Sequence, residues 1–192
     1  MTFRASVLLA TVVTVALAAC GDPLATKATL DVYTDTVNVY ALSGTPPSVP
    51  TAVHISSGAA IRADATFSFD FAADIDASGN VVLLPVRLVA SGIATTHTVG
   101  LQAVSGTFDA LTSAPRTAFR YDSSTVVSGK GGVFVAEITD PTLCAVSLKG
   151  AAYFAKLVVD SVRISDRAIF IREVVDPNCG FRSLVSGSIP KD

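Results

Sequence analysis

The sequence predicts an all-β domain, a single β-sandwich of about eight to ten mostly antiparallel strands, and three observations carry that prediction. From Ala28 onward the chain repeats short runs of Val, Ile, Phe, Tyr and Thr in which apolar and polar residues alternate, the period of a strand with one buried face. Breakers interrupt these runs at strand-sized intervals: Gly44-Thr45-Pro46-Pro47, Ser57-Gly58, Ser78-Gly79-Asn80, Ser91-Gly92, Gly129-Lys130-Gly131-Gly132, Asp140-Pro141, Ser165-Asp166 and Asp176-Pro177. Three segments, Val81 to Val89, Val133 to Ile138 and Ile169 to Val175, are apolar on both faces, as strands covered on two sides would be. A closed β-barrel satisfies the same pattern and is the alternative architecture.

Along the chain, Val37, Val39 and Ala41 face one way against Asn38 and Tyr40. Phe67, Phe69 and Phe71 oppose Thr66, Ser68 and Asp70 in the clearest alternation of all, and Phe119 with Tyr121 repeats the scheme against Arg120 and Asp122. Pro85 has no N–H to give a ladder, so the Val81 run should break near it. Residues 151–162 read two ways. Ala151, Phe154, Ala155, Val158, Val159 and Val162 fit a helical stripe, whereas the β-branched run from Val158 to Ile164 favours a strand, which is the expectation.

The amino terminus reads differently. Met1 to Arg4 form a short cationic start, Ala5 to Ala16 an apolar run broken only by Ser6, Thr11 and Thr14, and Leu17-Ala18-Ala19-Cys20 closes it. This is the layout of a secretory signal, and the run is short of the roughly 20 apolar residues that a spanning helix needs. Leu17-Ala18-Ala19-Cys20 resembles the lipobox of bacterial lipoprotein signal peptides. The resemblance implies that residues 1–19 are removed, that the sulfur of Cys20 carries a diacylglyceryl group, and that acyl chains hold the protein on a membrane. The organisation expected is a signal peptide at 1–19, a lipidated tether at 20–27 and one β domain at 28–192, displayed in the bacterial cell envelope outside the cytoplasm. The domain itself carries no family signature.

Loss of residues 1–19 leaves 173 of the 192 residues, an ordinary size for one domain with a substantial core. Arg4 is the only charged side chain removed, so acidic residues then outnumber basic ones by three, 16 against 13. No basic excess exists to attract nucleic-acid phosphates, and nucleic acid is excluded as a partner. Export places Cys144 and Cys179 in an oxidising compartment, where an even pair becomes a disulfide. Both follow an Asp-Pro turn, so the bridge would staple the C-terminal strands.

Residues that could carry chemistry are few. Asp74, Asp76, Ser78 and Asn80 place oxygens at alternate positions with Gly79 at the sixth, like the first half of a calcium loop, but Pro85 stands where the bidentate Glu is needed. A hairpin turn is the expectation, with no metal and no cofactor. His54 alternates away from Val53 and Ile55 toward the surface, and His97 shares a face with Val99 and Leu101. Two histidines so far apart make a poor metal or general-base case. Ser128-Gly129-Lys130-Gly131-Gly132 lacks the leading glycine and closing Ser or Thr of a phosphate loop and reads as a turn. Arg163, Asp166, Arg167, Arg172, Glu173, Asp176 and Arg182 gather in the C-terminal third, where structural ion pairs are the expectation and an anion site built from the guanidinium groups is the alternative. The function expected is a non-catalytic structural or binding module. A carrier of hydrophobic ligands, which would need a cavity, and an envelope enzyme, which would need a nucleophile beside a base, are the alternatives.

Overall fold

The computed structural model describes residues 27–64, 66, 68–116 and 121–191. β-Branched and aromatic runs form β1 (Tyr33–Tyr40), β2 (Ala52–His54), β3 (Ala59–Ile61), β4 (Phe71–Ile75) and β5 (Val81–Pro85). They continue through β6 (Thr98–Val104), β7 (Val126–Ser128), β8 (Val133–Thr139), β9 (Ala152–Arg163) and β10 (Ala168–Asp176). Two antiparallel sheets result, in the orders β1-β10-β9-β8-β6 and β3-β2-β4-β5-β7. Neither closes on itself, so the fold is a sandwich and the barrel is excluded. Helix among the described residues is confined to single turns, Ile55–Ser57 and α1 (Val86–Val89), and no helix there is long and apolar enough to cross a membrane.

Register puts one apolar set between the sheets. Val37 faces Ile171, which faces Val159, while Ala155 faces Ala136, which faces Leu101, and all lie on the inner side of the larger sheet. Val53, Phe71, Ala73, Ile75, Val81 and Leu83 answer them from the smaller one. A bulge inserts Asp160 into β9 opposite the Phe170/Ile171 step, and Arg172 grips the Asp160 carboxylate with two hydrogen bonds of 3.1 Å. Residues 151–162 thus belong to the strand expected, not to a helix.

The larger sheet is buried on its outer side as well. Val133, Val158 and Val174 pack there with Val32 and Phe108, and Val135 and Phe154 pack with Ala114 and Leu184. The cover consists of two segments with little regular structure, 106–116 and 181–189, joined by the Ser113–Ser183 bridge. Lys156 sits beneath them, its ammonium donating to the carbonyls of Phe108 and Leu111 at 2.8 Å and lying 4.5 Å from the Phe108 ring centre.

Three expectations need correction. The Thr66–Asp70 alternation is not strand: β4 begins only at Phe71, and Phe67 lies outside the described residues. Phe69, Asp70 and Phe71 are buried in succession because the Asp70 carboxylate turns inward to polar partners. The Val81–Val89 run does not form one strand covered on two sides; it breaks at Pro85 as expected, and Val82 and Leu84 remain half-buried because no described segment covers that outer face as 106–116 covers the other sheet. Residues 117–120 lie outside the described residues, and the Phe119–Asp122 alternation survives only as a bridge from Leu101 to Asp122.

The antiparallel order gathers the start of β1, the end of β8, the start of β9 and the end of β10 at one end of the larger sheet. Cys144 and Cys179 meet there in the expected disulfide, with Cα atoms 5.6 Å apart. Gly180 follows with φ of +83°, and a Cβ there would lie 2.6 Å from the Lys149 carbonyl carbon, so glycine alone lets the two backbones approach. The bridge closes a separation of 35 residues. Replacing both cysteines by Ser should lower the unfolding free energy by about 3–4 kcal/mol in denaturant titrations on the chain-entropy estimate. A loss below about 1 kcal/mol would mean that the bridge staples nothing.

Candidate functional site

The expected site residues are dispersed by the fold. Asp76 is spent on its own hairpin: Oδ1 accepts from the backbone N–H groups of Ser78 and Asn80 at 2.8 Å, which holds its carboxyl below the usual range. Gly79 supplies the positive φ that the β4–β5 turn requires. Asp74 turns away from that loop to accept from Ser43 and from Arg167 at 3.1 Å. Arg167 also donates to the carbonyls of Ser43 and Ile75, latching the β9–β10 turn of one sheet to the other sheet. Arg163 pairs with Asp166 and Arg172 with Asp160, so the arginines of the C-terminal third do not converge. Gly129–Gly132 makes the turn between β7 and β8, and Cys20 lies outside the described residues. No group of three or more His, Cys, Asp or Glu side chains converges to hold a metal ion among the described residues.

His54 is half-buried rather than on the open surface, bonded through Nδ1 to Ser57 at 2.7 Å. His97 is buried on the face of Val99 and Leu101, as expected, and its Nε2 lies 3.2 Å from both Asp70 Oδ1 and the Phe69 carbonyl. The hydrogen bond to Asp70 raises the His97 pKa against the opposing effect of burial. Asp70 Oδ2 meanwhile accepts the Ile55 N–H at 2.6 Å. Nearby, the Tyr33 hydroxyl donates to the Ser56 carbonyl at 2.9 Å, and burial pushes its pKa up to about 12. Glu173 completes the polar group. It occupies an inward position between Ile171 and Val175, wholly buried, with neither carboxyl oxygen hydrogen-bonded among the described residues. Burial first, then the charges of Asp35 and Asp70, push its pKa up to about 8, so the carboxyl is neutral at pH 7. Sequence alternation placed Glu173 inside the Ile169–Val175 run without showing which partners it would lack.

A surface cleft of about 440 Å³ opens elsewhere. Its walls are Thr112, Ser113 and Arg116 from one covering segment, Gly180 to Ser183 from the other, and Lys149 and Lys191. The Arg182 guanidinium stacks 4.2 Å from the Phe154 ring centre, donates to the Pro115 carbonyl and lies 3.8 Å from Glu137. Lys149 lies 4.0 Å from the ring centre of the buried Phe181. The cleft is therefore lined by four cationic side chains, Arg116, Lys149, Arg182 and Lys191, of which Arg182 faces the Glu137 carboxylate. Of these four, only Arg182 stood out in the sequence. Arg116, Lys149 and Lys191 are far apart along the chain, and only the wrapping of 106–116 and 181–189 brings them together.

Glu173 and His97 act in one direction on stability. Unfolded Glu173 loses its proton near pH 4.5 while the folded carboxyl keeps it to about pH 8, so stability falls as pH rises across that window. His97, whose folded pKa is raised above 6.5, contributes stability that is complete below that pH and is lost as pH rises through its folded pKa. Thermal midpoints should accordingly fall from pH 5 to pH 8.5. Glu173→Gln should flatten that fall and be the more stable form at pH 8, since one proton accounts for a slope of at most about 1.4 kcal/mol per pH unit. Equal slopes in the two proteins would show that Glu173 ionises normally.

Comparison with protein-family models, with curated proteins and with solved structures finds no match to this chain, so the reading of its cleft and core rests on their chemistry alone.

Proposed function

We propose that the protein is a lipid-tethered module of the bacterial cell envelope, held at a membrane through Cys20, that acts by binding and not by catalysis. The observation that carries the reading is the Cys144–Cys179 disulfide, which belongs to an oxidising compartment and agrees with the signal-like sequence before Cys20. The sandwich interior is filled by Tyr153, Phe69, Phe71 and Phe134, all fully buried, which favours a module over a carrier with an apolar lumen. The basic cleft supplies its binding surface.

An enzyme reading draws on one contact set, Thr96 Oγ1 at 3.3 Å from His97 Nδ1 with Asp70 on the other ring nitrogen. Thr96 and His97 are chain neighbours, so their contact is local. The raised His97 pKa also keeps more of the ring protonated near neutral pH, where a general base must be free of its proton, and Asp70 already serves the Ile55 N–H.

The tether is tested by growing the producing cells with labelled palmitate. The wild-type protein should take up the label, and Cys20→Ser should lose it entirely. A wild-type Cys20 of unmodified mass would overturn the anchor.

A further inference from the structure

Residues 27–30, the disulfide loop and the basic cleft occupy the same end of the sandwich. Thr29 and Leu30 both donate their N–H groups to Asn178 Oδ1 at 3.0 Å, and Asn178 Nδ2 donates to the Leu30 carbonyl at 2.8 Å. Asn178 precedes Cys179, which is bridged to Cys144, so the root of the tether is fixed beside loop 140–150. That loop is held by the disulfide, by Ser147 Oγ donating to the Cys179 carbonyl, and by Asp140 accepting from Thr142 and Leu143. Yet it directs Val146 and Leu148 outward at 92% and 85% exposure, with Leu143 half exposed. A clamped loop with apolar tips in water marks a contact surface.

The charge at this end contrasts with the chain as a whole. The protein carries a net charge of −2, whereas Lys149, Arg116, Lys191 and Arg182 are concentrated in the cleft and Lys27 stands at the tether root. Asp31, Glu137 and Asp140 lie at the same end, Glu137 beside Arg182 at 3.8 Å, Asp140 engaged in capping the loop and Asp31 exposed. The eight steps from Cys20 to Ala28 can reach about 28 Å at full extension, and the twelve residues of β9 place the opposite end of the sheet about 40 Å farther on.

We infer that this end is a membrane-contact face: the tips of Val146 and Leu148 enter the headgroup boundary while the cations of the cleft bind the phosphates of anionic phospholipids in the bilayer that holds the anchor. The biological setting rests on the tether reading, but the contact is a property of the domain. Basic side chains near an anionic surface and shallowly inserted apolar ones act together, each alone binding weakly.

The test uses the chain from residue 20 with Cys20→Ser, which has no acyl group, sedimented with vesicles of phosphatidylglycerol mixed with phosphatidylcholine and with vesicles of phosphatidylcholine alone. Binding to the first and not the second, weakening with salt, is the expected result. Arg116→Gln and Lys149→Gln should each reduce partitioning about fivefold. Val146→Asn with Leu148→Asn should also reduce it, at an unchanged thermal midpoint because both side chains are exposed. Lys130→Gln, in the β7–β8 turn at the opposite end, should have no effect. Equal binding to both vesicle types, no binding to either, insensitivity to the cleft substitutions, or complete release by inorganic phosphate, which would mark a free-anion site, overturns the proposal. The mass of wild-type Cys20 decides the tether separately, so loss of the anchor and loss of the contact face are told apart.

Discussion

Burial of the β1-β10-β9-β8-β6 sheet on both sides is the constraint from which the remaining features follow. Its inner side meets the smaller sheet, as in any sandwich, but its outer side is covered by chain with little regular structure. Backbone groups in such a cover need partners, and the fold finds them in local bridges and in side chains. Ala114 and Leu184 exchange hydrogen bonds with Arg182 and Thr112 across the two segments, while the Lys156 ammonium reaches up from the sheet to two carbonyls. Lys156, between Phe154 and Val158 on that outer face, is thus a fastener for the cover.

The inner side tolerates polarity on different terms. Asp70 and His97 satisfy one another and a backbone N–H, and their pairing lets three consecutive residues, Phe69 to Phe71, be buried where a regular strand would expose the middle one. Glu173 has no such partner. It remains tolerable because protonation removes its charge, which links the packing of the core to pH.

The same cover creates the surface. Residues 106–116 and 181–191 return to the end of the sheet where the disulfide and residues 27–30 lie, and they deliver Arg116, Arg182 and Lys191 beside Lys149. Loop 140–150, held at Cys144, keeps the apolar side chains of Val146 and Leu148 outside. Cationic groups and exposed apolar ones therefore share one end of a molecule whose net charge is negative.

The sequence by itself determined the sandwich class, the β1 and β8–β10 strands, the break at Pro85, the hairpin at Ser78-Gly79-Asn80 and the Cys144–Cys179 pair. Those properties are local: period-two alternation, the missing proline N–H, glycine's access to positive φ, and the parity of cysteines. Phe67 to Phe71 misled because alternation assumes that a polar side chain seeks water, whereas Asp70 found partners inside. Tertiary structure alone decided which charges met. Arg167, Arg172 and Arg163 stand close in sequence and are separated by the turn and the bulge, while Arg116, Lys149 and Lys191 are distant and are joined by the wrapping of the cover. Charge carries no periodic signal of its own, so its pairing is set by the positions to which burial of the apolar residues delivers it.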